Sequence, residues 1–214
     1  ALSTYGDINT WDVSQITDMG NLFYGKNSFN DDIGNWDVSH VTSFSNLFRG
    51  AGSFNQDIGD WDVSNVGSMH AMFMDADDFN QDISGWNLNS ASSLHAMFLG
   101  ASSFNQDISD WNVTSNITNI GRMFENASSF NRDISDWDVS SVTHMGRIFM
   151  NATSFNQDLS AWQLTSNAEW NDLFLNASAL SEENKCAIHV SWSQQNSNWP
   201  YDWSEDQDCN GDCF

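Results

Sequence analysis

One spacing constrains this chain more than any other. Trp11, Trp36, Trp61, Trp86, Trp111, Trp137 and Trp162 lie 25, 25, 25, 25, 26 and 25 residues apart. A period in that range marks a stack of similar units, each too small to bury its own core. Other columns keep step with the tryptophans. Phe29, Phe54, Phe79, Phe104, Phe130 and Phe155 stand seven residues before a Trp, and an Asn follows each of them. Asp7, Asp32, Asp57, Asp82, Asp107, Asp133 and Asp158 stand four before, with Ile (Leu159 in the last unit) one step on. Val or Leu stands two after, from Val13 to Leu164.

The two halves of each unit carry different patterns. Between Ile and Trp stand turn formers such as Gly34-Asn35, Gly59-Asp60 and Ser109-Asp110. Ile and Trp are three apart, so one straight strand would turn them to opposite faces, whereas a corner lets both point inward. The second half of the sixth unit places Val142, Met145, Ile148, Phe149 and Ala152 at spacings of three and four, the stripe of a short helix. Thr17, Thr42, Thr118 and Thr143 stand where N-caps would. The fold expected is therefore an α/β solenoid of the leucine-rich-repeat kind. It has about seven turns, each a short parallel strand through the Gln-Asp-Ile positions, a corner and a short helix. The repeats run over 1–180, with the first one partial. A C-terminal cap over 181–204 opens on Ser181 as N-cap, and an acidic Cys-containing tail or following module occupies 205–214. The one-residue insertion in the fifth unit falls near Thr114-Ser115-Asn116, as a loop tolerates best.

Charge narrows the partners. The net charge is −23 with six Lys and Arg, so nucleic acid and anionic membrane surfaces are poor partners and cations are good ones. No run of about 18 apolar residues exists, so no membrane span is expected. The chain begins inside a repeat, which reads as a mature or excised piece. Cys186, Cys209 and Cys213 lie outside the repeats, at the C-terminus; their odd number implies a free thiol or a partner beyond Phe214, and an oxidising, extracellular setting fits them better than cytosol.

Three sets of residues are candidates for chemistry. The Asp column, with Asp32, Asp57, Asp82, Asp107 and Asp133 at its centre, reads either as Asx turns at the corner or as a Ca²⁺ ladder fed also by Asp12, Asp37, Asp62 and Asp138. Asp206, Asp208, Asn210, Gly211 and Asp212 match the first positions of an EF-type Ca²⁺ loop. Trp192, Trp199 and Trp203 break the repeat and are candidate ligand contacts, against a capping role. The repeat tryptophans read as core, because seven exposed indoles would make an outsized apolar strip. His70 and His95 share one column and read as surface residues of the second half. Asn126, Asn151 and Asn176 begin Asn-Ala-Ser/Thr sequons that the repeat itself generates. No Ser-His-Asp set, phosphate loop or Cys-His cluster stands out, so no catalytic residue is named.

The phrase Phe-Asn-Gln-Asp-Ile-Ser-x-Trp-x-Val-x-x-Val-x-x-Met-x-x-Met-Phe-x-x-Ala closely resembles the BspA-like leucine-rich-repeat surface proteins, also called the DUF285 or mycoplasma lipoprotein repeat. The resemblance covers about residues 5–180. Asn184-Lys185-Cys186-Ala187-Ile188-His189 and Trp199-Pro200-Tyr201-Asp202-Trp203 resemble that family's C-terminal closure. It implies a leucine-rich-repeat-like solenoid with an extracellular, non-enzymatic binding or adhesion role at the cell surface. The expected partner is a protein or glycan of a host or neighbouring cell, with Ca²⁺ as a candidate cofactor. The alternatives are a structural spacer or surface-layer component and a polysaccharide-binding accessory domain of an enzyme.

Overall fold

The computed structural model describes residues 6–113, 116–197 and 199–203. Its repeats form rungs, each carrying one tryptophan of the series from Trp11 (rung 1) to Trp162 (rung 7), and α1 (Glu182–Gln195) covers the last. The expected α/β solenoid is not what forms. Among the described residues there is no strand and no sheet; single parallel bridges join Asp18, Ser43, Ser68, Ser93, Asn119, His144 and Glu169 from rung to rung. Among the described residues helix is confined to a 3-10 turn at Ile8–Thr10 and to α1. The leucine-rich-repeat architecture, with its strand and helix in every unit, is corrected with it.

The reason lies in how each half of a rung uses its amides. In the first half the chain reverses every few residues. In rung 2 the Trp36 amide bonds back to the Ile33 carbonyl at 3.1 Å and the Val41 amide to the Val38 carbonyl at 2.9 Å. Asp32 holds the Gly34 amide with its own side chain at 2.9 Å. No extended run is left for a ladder to form on.

The second half is a chain of overlapping turns. In rung 2, Leu47, Arg49 and Ala51 donate three residues back, to Phe44, Asn46 and Phe48. The alternate amides of Phe44, Asn46, Phe48 and Gly50 donate forward to Ser68, His70, Met72 and Met74 of rung 3 at 2.7–2.9 Å. A helix would send each amide four residues back. The first and third turns have a left-handed third residue, which also bars a helix. One such column is Gly25, Gly50, Asp75, Gly100, Asn126, Asn151 and Asn176, the residue types that tolerate it best. The other is Asn21, Asn46, Ala71, Ala96, Arg122, Arg147 and Asp172. Turns three residues long bring side chains inward at spacings of three and four, and so imitate a helical stripe.

These forward bonds repeat in the same direction along the stack. Phe23, Phe48, Phe73, Phe98, Phe124 and Phe149 donate in series to Leu47, Met72, Met97, Met123, Ile148 and Leu173. Peptide dipoles aligned in this way add, as they do in a helix. Within the turn series carbonyls face the rung 1 end and amides the rung 7 end, while at its two borders amides such as Gly67 and Asp78 donate the other way, to Thr42 and Gly52. The cap answers that polarity: the Tyr201 hydroxyl accepts the Phe174 amide at 2.9 Å.

Inside, columns become stacks. Phe48, Phe73 and Phe98 lie 5.6 Å apart ring to ring, and Phe54, Phe79 and Phe104 about 6 Å apart. Each repeat tryptophan from Trp36 onward donates its indole N–H to the Ile carbonyl of the rung before, as Trp86 does to Ile58 at 3.2 Å. They are core residues, from 0% to 5% exposed. The Asn column is a second ladder: each side-chain oxygen from Asn30 to Asn131 accepts the backbone N–H of the next Asn at 2.8–3.0 Å. The sequon residues Asn126, Asn151 and Asn176 form a third, amide to amide at 2.8 Å.

The α1 cap plugs into these ladders although its sequence departs from the repeat. Ser181 caps the helix by accepting from the Asn184 amide at 3.2 Å, while its own amide takes the next place on the Asn ladder, to Asn156 at 2.9 Å. Glu182 and Glu183 in the first turn suit the helix dipole. Trp192 takes the next place in the Trp column. Its indole donates to the Leu159 carbonyl at 3.1 Å, and its ring stacks on Trp162 at 5.9 Å.

Candidate functional site

The first half of each rung turns two carboxylate columns outward. Asp57, Asp82, Asp107 and Asp133 each accept the amide two residues on, from Gly59, Ser84, Ser109 and Ser135, at 2.9–3.1 Å. Asp32 does the same with Gly34. The second column, one residue after the tryptophans, repeats the geometry. Asp12, Asp37, Asp62 and Asp138 hold the amides of Ser14, Ser39, Ser64 and Ser140 at 3.0–3.1 Å. Asn87 fills that place in rung 4 and holds Asn89 at 3.0 Å. At six of these aspartates the bonds favour the charged form. The serine hydroxyl, then the serine amide, holds Asp12, Asp37, Asp62 and Asp138 below the usual carboxylate range. For Asp82 and Asp107 the serine amide is the larger cause and the hydroxyl the smaller.

The structure thus lines up Asp32, Asp57, Asp82, Asp107 and Asp133 one per rung, each engaged in its own Asx turn. Among the described residues, no group of three or more His, Cys, Asp or Glu is placed to hold a metal ion. A calcium ladder along this column therefore has no support in the geometry. Asp206, Asp208, Asn210 and Asp212 lie outside the described residues, as do Cys209 and Cys213.

The polar face continues into the Asn and Gln positions. Gln81 and Gln106 donate to the Asn side chains of the preceding rung at 2.9–3.0 Å. Arg132 stands in that Gln column and sends its Nε to the Asn105 carbonyl at 2.7 Å. Beside it, Asp107, Ser109, Asn131, Asp133 and Asp136 line a cleft of about 410 Å³ between rungs 5 and 6. In the sequence Arg132 shows only as a departure, with Asp31, from a column otherwise of Gln in rungs 2 to 7.

Of the three candidate aromatic contacts, Trp192 is corrected: it is fully buried and its N–H is spent on Leu159. Trp199 and Trp203 are half-buried and pack with Tyr201 into an aromatic cluster over Phe174 and Trp170. The Trp199 indole points to His189 Nδ1 at 3.2 Å. His70 and His95 stack at 5.0 Å on the turn half of the rungs, and burial first, then His70, lowers the His95 pKa.

Residues 2–111 and 83–187 match the sequence model of a family described as mycoplasma protein of unknown function, DUF285. No curated protein and no solved structure matches the chain.

Proposed function

We propose that this chain, which belongs to the DUF285 family, is a non-enzymatic binding module that works outside the cell. It offers a partner protein a row of fixed negative charges. The observation that supports this most is the column from Asp7 to Asp158, one carboxylate per rung and each pinned by a backbone amide, with Asp12, Asp37, Asp62 and Asp138 beside it in rungs 1, 2, 3 and 6. Pinning removes the rotamer entropy a partner would otherwise have to freeze. Hydrogen bonds to the ionised form keep Asp12, Asp37, Asp62, Asp82, Asp107 and Asp138 charged further into acid. The partner that fits is a Lys- and Arg-rich protein surface with cations recurring at rung spacing, and such binding weakens as salt screens it.

The test uses two triple variants of equal charge. Asp57→Asn, Asp82→Asn and Asp107→Asn remove three column charges while keeping the turn, since Asn87 makes the same bond. Asp75→Asn, Asp77→Asn and Asp78→Asn remove three charges from elsewhere. Binding to immobilised poly-lysine should fall at least tenfold further for the column variant. Equal losses would reduce the effect to net charge and remove the proposal. A glycan array run beside it separates a sugar partner from a protein one.

A further inference from the structure

Rungs 3 and 4 share one tetrapeptide in their turn series, His70-Ala71-Met72-Phe73 and His95-Ala96-Met97-Phe98. The histidine column holds Gly20 and Ser45 before them and Gly121, Gly146 and Asn171 after. The two rings stack at 5.0 Å, within 9° of parallel. His70 is exposed and His95 half-buried. On its other side His95 meets Gly121, which has no side chain; a Cβ built there would lie 3.5 Å from His95 Cδ2. The His95 Nδ1 is buried without a hydrogen-bond partner, the one side-chain atom of that kind among the described residues. The charges around the ring are mostly of one sign. His70 faces it from rung 3, Arg122 and Glu125 from rung 5 and His144 from rung 6. Only Glu125 favours a proton on His95, and Arg122 already holds that carboxylate at 2.7 and 3.2 Å.

We propose that this column is an acid-sensitive joint: a proton on His95 drives its ring off Gly121 and loosens the turn ladder between rungs 3 and 5, while the carboxylate columns keep their place. A neutral imidazole carries one bare nitrogen, and here the buried Nδ1 takes that part. A proton turns Nδ1 into a charged N–H without an acceptor, a costly state for a buried group. It also sets the new charge beside Arg122 and in stacking contact with His70, which titrates in the same acid. Swinging out to water relieves both, and Gly121 has nothing to fill the space left. The ladder bonds at that place run from the Ala71 amide to the His95 carbonyl at 3.0 Å and from the Ala96 amide to the Gly121 carbonyl at 2.9 Å. Burial first, then His70, Arg122 and His144, lower the His95 pKa from 6.5. The stability that neutral His95 brings is therefore complete above 6.5 and is lost as the pH falls through the depressed folded value. Asp62 and Asp138 give up theirs only below 3.8, so the joint responds before those carboxylates do. Asp75, raised by burial, works in the opposite sense in that interval, which makes the readout local rather than global.

The experiment is NMR of the full chain at stepped pH, following the His95 ring and amide hydrogen exchange. His95 should titrate at a lower pH than in the urea-unfolded chain. On acidification from neutral pH, exchange at Ala71 and Ala96, corrected for its intrinsic pH dependence, should speed up at least tenfold relative to Phe149. That residue makes the same kind of ladder bond in rung 6, to Leu173. His95→Ser, which brings in the residue type that Ser45 supplies to this column in rung 2, should abolish the selective gain. A His95 that titrates at or above its unfolded value would overturn the proposal. So would an equal gain at Phe149, or a selective gain that survives His95→Ser. The titration and the exchange comparison are read on the unaltered chain, so they decide the matter even where the variant fails to fold.

Discussion

The two halves of a rung solve the same problem by different means. In the first half side chains make the contacts between rungs: an indole N–H to an Ile carbonyl, an Asn oxygen to the next Asn amide. In the second half backbone bonds backbone, as Phe98 does with Met123 and Gly100 with Glu125. A contact made by a side chain demands that side chain in every rung, whereas a contact made by backbone leaves the outward residue open. Hence the Trp and Asn columns hold through the interior, while one left-handed column runs through Asn46, Ala71, Ala96, Arg122 and Asp172.

Substitutions can break that contrast, beginning where the cost is greatest. Trp86→Ala empties a buried site and orphans the Ile58 carbonyl; urea denaturation should show a loss of about 3–5 kcal/mol, the range for truncating a buried aromatic. Asn80→Ala leaves the Asn105 amide unmatched and should cost about 1–3 kcal/mol by the same measurement. The opposite sign is expected in the second half. Ala96 sits at φ 56° and packs its methyl against Ala71 and Leu99, so Ala96→Gly relieves a left-handed penalty of about 1–2 kcal/mol, loses about 0.8 kcal/mol of methyl burial, and should still stabilise slightly. Destabilisation there would mean that the second half also depends on side-chain identity.

The smallest effect concerns the carboxylates. Asp62→Asn keeps the turn, as Asn87 shows, and at neutral pH should lose only the small contribution of the charge in its bonds to Ser64. Its consequence lies in acid. Hydrogen bonds from Ser64 and Ser140 depress Asp62 and Asp138 from 3.8 in the folded chain, and unfolding removes them. The stabilisation they bring is complete above 3.8 and is lost as the pH falls through the depressed folded values. A variant with Asp62→Asn and Asp138→Asn should therefore lose less stability on acidification below 3.8 than the parent, read by urea midpoints at stepped pH.

The same contrast explains what the sequence disclosed. The period, the buried tryptophans and the Asn ladder follow from side chains that must recur, so their columns are visible in the letters. The turn series leaves a weaker trace. Met97, Phe98 and Ala101 point inward at helical spacing, yet the turns that place them are closed by Gly100 and its column mates. That Gly, Asn and Asp column, from Gly25 to Asn176, was the available sign that no helix passes through. The left-handed residue at Ala96 left no sign, because alanine is the best helix former. The strand expected through Gln-Asp-Ile rests on the spacing of Ile and Trp, which asks for a corner between two extended pieces. The Asx turn at each Asp takes the amide two residues on and bends the chain. The polarity of the turn series is a property of backbone direction, which no residue letter encodes.

The central claim is that the second half of each rung is a backbone ladder between rungs rather than a helix within one. Scalar coupling across hydrogen bonds, measured by NMR on isotope-labelled protein, tests it at a single residue. The Phe98 amide should couple to the Met123 carbonyl of the next rung, to which it is bonded at 3.0 Å. Coupling of Phe98 to the Leu94 carbonyl, four residues back in its own rung, would contradict the ladder and restore the helix.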